Sequence, residues 1–100
     1  MRVELNTHLT QEEKDILKCS DVSVKLIVDT DMLFYECRKD GKLYTETIEN
    51  PNRMIGIGGY YLLELKDEIG EWNMGVQKQD DLSYLFWGNY GNLKDAYEAL

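Results

Sequence analysis

The spacing of apolar and polar positions changes period twice along this chain, and each change marks a different kind of element. Arg2 to Leu5 is a short strand or a lead-in. Leu9, Ile16 and Leu17 then give one narrow apolar side to a helix over Gln11–Lys18. Thr10-Gln-Glu-Glu13 has the spacing of a capping box, in which the threonine hydroxyl takes the third helical amide and the glutamate reaches back to the cap. Acids in the first turn and Lys14 and Lys18 after them agree with the helix dipole.

From Val22 the period becomes two. Val22, Val24, Leu26 and Val28 alternate with Ser23, Lys25, Ile27 and Asp29, which predicts one strand with one buried face. Asp29-Thr-Asp31 reads as a turn. Leu33–Lys39 and Lys42–Glu49 flank Asp40-Gly41, the dipeptide of a type I′ hairpin turn. Asn50-Pro-Asn52 breaks the ladder, because proline has no amide donor. Arg53–Gly59, RMIGIGG, reads as a twisted edge strand or a loop, its glycines marking a bulge or a close backbone approach. Strands over Tyr60–Lys66, Glu71–Lys78 and Leu82–Trp87 follow, joined at Asp67–Gly70 and Gln79–Asp81. Gly88–Gly91 then leads to Asn92 as the cap of a closing helix, in which Leu93, Ala96, Tyr97 and Leu100 form one stripe.

These elements predict a single α+β domain over residues 1–100. Short connections dictate a five- to six-stranded antiparallel meander, with a short helix at each end of the chain packed on one face. The organising block is Gly59–Asn92, which holds both tryptophans and four of the seven tyrosines. Parity within it places Tyr61, Leu63, Leu65, Trp72, Met74, Val76 and Phe86 in the core. Tyr60, Leu62, Glu64 and Lys66 share the opposite side, and Leu85 and Trp87 form a second apolar face on the last strand, which is therefore central or covered.

Composition adds a sign. The 100 residues are 43% hydrophobic and 11% aromatic with one proline, well clear of disordered chains, and carry a net charge of -8. Eleven acids face seven bases in residues 1–50, and eight face four in 51–100, so the whole body is acidic rather than one tail. Such a surface repels phosphate backbones and anionic lipid and accelerates encounter with basic proteins. The expectation is no nucleic acid, no membrane, and a basic protein partner. No secretory h-region or long apolar run is present, which predicts a cytoplasmic protein. Cys19 and Cys37 have no metal or redox spacing and read as buried free thiols.

Candidate chemistry is sparse. His8 is the single histidine and lies in the lead-in, so nucleophile-histidine mechanisms have nothing to build on. Gly56-Ile-Gly58-Gly59 lacks the lysine of a phosphate loop and reads as a bulge. Asp29/Asp31 and Asp80/Asp81 fall short of a calcium loop and read as solvated turn acids. No enzyme, metal or cofactor is expected. What remains are two acidic turns beside tyrosines, with partner contacts at Asp67, Glu68, Glu71, Asp80, Asp81, Tyr60 and Tyr90. In a meander those turns fall at opposite ends of the sheet.

In its size and acidity the chain resembles the small acidic immunity proteins paired with polymorphic toxins, and its ending, WGNYGNLKDAY, resembles the strand-to-helix finish of some of them. That likeness covers only the C-terminal stretch and assigns no family. It implies a bacterial or phage inhibitor, of immunity or anti-defence type, that blocks a basic nuclease or toxin. The alternatives are a small enzyme or ligand-binding domain with a pocket between sheet and helices, and a homo-oligomeric structural or assembly subunit, a homodimer joined through Leu85 and Trp87.

Overall fold

The computed structural model describes residues 1–6, 8–18 and 22–100. Cys19 lies outside the described residues. In chain order the elements are β1 (Arg2–Glu4), α1 (Gln11–Leu17), β2 (Val22–Lys25), β3 (Ile27–Asp29), a 3-10 turn (Thr30–Met32), β4 (Leu33–Lys39), β5 (Lys42–Thr47), β6 (Pro51–Ile57), β7 (Tyr60–Leu65), β8 (Trp72–Gln77), β9 (Tyr84–Tyr90) and α2 (Leu93–Glu98). The class is α+β with a large, mostly antiparallel sheet, as the sequence predicts. Its strand number and its order depart from the expected meander.

Seven strands run in the order β2-β6-β7-β8-β9-β4-β5, and β1 pairs with β3 in a separate two-stranded ribbon. The β4–β5 hairpin lies beyond β9, with β4 parallel to it through Leu33↔Tyr84 to Tyr35↔Phe86. A parallel pair needs a long crossover, and the chain through β5, β6, β7 and β8 supplies it. Short turns specify only pairings between sequence neighbours, so nothing local in the sequence marks this placement.

Four local differences have plain causes. The alternating run from Val22 is two strands rather than one: β2 pairs with β6 as far as Lys25↔Met54, and β3 pairs with β1. At the break the Leu5 amide donates to the Leu26 carbonyl at 2.7 Å, and the Asn6 amide to Asn52 at 2.9 Å, beside a register shift between Pro51 and Arg53. The segment RMIGIGG is an internal strand and a turn rather than an edge strand or a loop throughout. Its first five residues are internal in β6, between β2 and β7, while Gly58 and Gly59, at φ of 55° and 90°, make a tight turn closed by Ile57↔Tyr60. The last strand starts at Tyr84 and continues through the expected Gly88–Tyr90 loop, bulging at Trp87 where Gly75 opposes Phe86 and Met74 opposes Gly88. At Gly75 a Cβ would stand 2.1 Å from the Leu85 carbonyl oxygen, so only glycine fits.

The sheet is buried on both faces. On one, Ile55, Ile57, Leu62, Trp72 and Met74 meet Leu17 of α1 and Leu93 and Ala96 of α2. On the other, Met54, Leu63 and Phe86 meet Leu33, Ile48 and Leu5 and Val28 of the ribbon. A strand covered on both sides carries no polar alternation, and this corrects the parity expected for β7: Leu62, Leu63 and Glu64 are all fully buried, while Tyr61, Leu65 and Val76 are half-buried. Cys37 is a free thiol, half-buried rather than buried.

The buried Glu64 belongs to an ion cluster. Arg53 grips it with two bonds, Nε to Oε1 at 2.7 Å and Nη2 to Oε2 at 2.8 Å. The same guanidinium grips Glu13 of α1, Nη1 to Oε1 and Nη2 to Oε2, both at 2.7 Å, and Nη1 also donates to the His8 carbonyl at 2.7 Å. All five guanidinium donors are thereby used. Its Cζ lies over the Trp72 ring, 5.1 Å from the ring centre. Glu64 further accepts from Asn52 Nδ2 and from the Gly70 amide. Glu13 completes the capping box: it accepts from the Thr10 amide, and Thr10 Oγ1 accepts from the Glu13 amide. Burial by itself would push both carboxyls up, but the Arg53 bonds, with Gly70 and Asn52 for Glu64 and Thr10 for Glu13, outweigh it and hold both below the usual range.

Breaking such a cluster from one side leaves a buried charge without a partner. Arg53→Met is therefore expected to lower unfolding stability by about 3–5 kcal/mol, read from urea midpoints by circular dichroism. Because both carboxyl values are depressed on folding, their contribution is complete above the unfolded value of 4.5 and disappears as pH falls through the folded values. Urea midpoints should hold between pH about 7 and about 5 and drop steeply below about 4 in the wild type. Glu64→Gln should flatten that fall.

Candidate functional site

The turn between β7 and β8 is tied down from inside, since the Gly70 amide donates to buried Glu64 at 2.9 Å. Backbone bonds from Glu68 to Leu65 and from Glu71 to Glu68 tighten it, and Asn50 Nδ2 reaches across to Asp67 Oδ1. The segment after β5 is anchored beside it by the Lys66 amide on the Asn50 carbonyl at 2.9 Å. Two loops distant in sequence thus lie side by side.

Between them opens a recess of about 520 Å³, walled by the end of β5, by Tyr35 of β4, and by β8 and β9. Glu46, Glu49 and Glu68 line it with Asn50, Asn73 and Asn89, and neither lysine nor arginine does. Asn73 is 3% exposed; its Nδ2 donates to the Leu63 carbonyl at 3.3 Å and its Oδ1 accepts from Asn89 Nδ2 at 3.1 Å. The floor is an amide ladder, the rim is carboxylate, and Tyr35 gives an aromatic wall. Such a lining accepts a cationic donor group, a guanidinium or ammonium, between carboxylates and over a ring face.

The expected contact residues divide by position. Asp67, Glu68 and Glu71 stand at the recess end; Tyr90, paired with Trp72, is at the same end of the sheet but on its other face, half-buried against the helix-side core. Asp80, Asp81 and Tyr60 stand at the opposite end, roughly 20 Å away along six-residue strands. Asp81 is occupied there: its carboxylate accepts from the Ser83 hydroxyl at 2.6 Å and the Ser83 amide at 3.0 Å, which hold it below the usual range and brace Leu82 at φ 62°. Sequence reasoning missed Tyr35, Glu46, Glu49, Asn50, Asn73 and Asn89. A usable signal existed in the two asparagines inside WNMGVQ and YLFWGNY, since asparagine is depleted from strands unless its amide has a task.

A second recess of about 440 Å³ lies between α1, α2 and Gly70, the place the sequence marks for a ligand pocket. Of its lining acids, Glu13 is engaged by Arg53 and Asp95 accepts from Asn92 Nδ2, while Glu12 stands at its edge. Asp29 and Asp31 bond the Met1 amino group at 3.0 and 2.9 Å. Among the described residues no cluster of three or more histidine, cysteine, aspartate or glutamate side chains is placed to hold a metal ion, and no helix is long and apolar enough to cross a membrane. Comparison of the chain with family models, with curated proteins and with solved structures gives no match in any of the three.

The rim and the floor should separate in their effect on stability. Glu49→Gln and Glu68→Gln remove carboxylates that hold no hydrogen bond among the described residues, and are expected to shift unfolding by less than about 0.5 kcal/mol. Asn73→Ala strips one buried and one part-buried bond and should cost about 1–3 kcal/mol. Urea unfolding of the three variants checks the contrast.

Proposed function

We propose that this chain is a small acidic interaction protein that captures a lysine or arginine side chain of a basic partner in the recess between the β5 end and the β7–β8 turn. The carrying observation is the lining itself: three glutamates, three asparagines and a tyrosine without a basic residue, and Asp67 and Glu71 beside them. Net charge of the same sign over the rest of the body steers a basic protein toward that end. An inhibitor of the immunity or anti-defence kind, seated on a basic nuclease or toxin, is the biological form this reading takes. On this reading the recess end, rather than Asp80 and Asp81, is the contact surface.

One observation favours a second reading. A recess of about 520 Å³ falls in the size range of small-molecule sites, and the same lining would take a free amine or guanidine compound. It lies beside the hairpin rather than between sheet and helices.

An oligo-arginine peptide serves as the probe for the shared chemistry. Stopped-flow fluorescence is expected to show association that slows as salt rises, and that slows about tenfold in a Glu49→Lys/Glu68→Lys variant. Asp80→Lys, at the other end, should change the rate far less. Equal slowing at both ends would mean a diffuse acidic field, and would overturn the recess as the site. Agmatine binding as tightly as the peptide would favour the small-ligand reading.

A further inference from the structure

β5 forms one edge of the seven-stranded sheet, and all six of its residues are exposed. Native edges are normally blunted by prolines, bulges or rows of lysine. This one has no proline, pairs with β4 without a register shift, and carries Lys42 alone. Leu43 and Tyr44 are 55% and 49% exposed on it.

The two-residue turn at Asp40–Gly41 makes Lys39 and Lys42 the first hydrogen-bonded pair, so Lys42, Tyr44 and Glu46 aim their backbone groups at β4. The parity runs on to Ile48, whose amide donates to the Leu33 carbonyl at 2.9 Å. Leu43, Thr45 and Thr47 therefore turn N–H and C=O outward. On the side chains the order is cation, aromatic, anion: Lys42, Tyr44 and Glu46 share one face.

We propose that β5 pairs antiparallel with β5 of a second copy of this chain, about a two-fold axis at Tyr44. Leu43 and Thr45 of the two copies then exchange their outward backbone bonds, and Tyr44 meets Tyr44 in the close, non-hydrogen-bonded position. Lys42 of each copy stands directly opposite Glu46 of the other. The sequence is self-complementary in charge only in this register. An axis at Leu43 or Thr45 keeps the backbone bonds but sets Lys42 against Tyr44 or Ile48, with both ion pairs lost. An axis between two residues opposes outward to inward backbone groups and loses the ladder. Pairing through β5 takes up Glu46 at the edge of each recess and leaves Glu49 and Glu68 free, and it uses neither Leu85 nor Trp87 of the internal strand β9.

Sedimentation equilibrium on the purified full chain is expected to show a mass that doubles with concentration. Thr45→Pro deletes one outward donor and no bond to β4, so it should stay monomeric with an unchanged circular dichroism spectrum. Lys42→Glu should also stay monomeric, since the introduced carboxylate would face Glu46 of the other copy, and the exchanged pair Lys42→Glu/Glu46→Lys should dimerise again. A wild-type chain that remains monomeric, a dimer indifferent to Lys42→Glu, or an exchanged pair that fails to recover overturns the proposal. A purified chain that is monomeric but binds a strand of another protein at this edge counts among those failures.

Discussion

Arg53 is the point through which this structure is tied. One guanidinium, stacked on Trp72, bonds the capping glutamate of α1, the chain leading into it at His8, and the fully buried Glu64 of β7. Replacing such an ion cluster by apolar groups is often no loss in stability. Its use here is geometric, since five directional bonds admit one docking position for α1, whereas aliphatic packing of Leu17 and Ile16 would tolerate several. Glu64 extends the tie to the Gly70 amide, so the turn bearing Asp67, Glu68 and Glu71 is held by the same carboxylate that holds the helix.

Local elements were legible in the sequence because their causes are local. The capping box at Thr10, the Asp40–Gly41 turn and the Asn92 cap each rest on residues within three or four positions, and each is present in the structure. The β4–β9 pairing was not legible, because it joins strands about fifty residues apart in sequence and depends on where the β4–β5 hairpin docks on the rest of the sheet. The break at Leu26 was hidden for a similar reason: the alternation continues without a turn residue, and what diverts the chain is the irregularity in β6 beside Asn52, far along the sequence.

The candidate site was legible in its sign and not in its address. Asp67, Glu68 and Glu71 do stand beside the recess. Glu46 and Glu49 come from a strand end that reads as an ordinary solvated edge, and Asn73 and Asn89 look like interruptions until the bulge at Trp87 aligns them. Glu64 is the instructive case. In YYLLELK its neighbours assign it to a polar face, but coverage of both sheet faces leaves no polar face to occupy, and Arg53, itself hidden in an apparent glycine loop, is what makes its burial tolerable.

Separating those buried charges from the surface ones locates the acidity. Glu13, Glu64 and Arg53 together account for a single unit of the net charge of -8, and they are neutralised mutually at short range. Most of the other charges among the described residues are on exposed side chains, where water screens them and an isolated charge adds little to folding. A surface charge of that size repels itself and lowers the stability of the compact state. The acids at the recess end share this cost, and the bond from Asn50 to Asp67 is an internal compensation there. The Gly70 amide bond to Glu64 is a further one: it ties the turn that carries Asp67, Glu68 and Glu71 to the buried cluster, so these acids keep a fixed position despite their mutual repulsion.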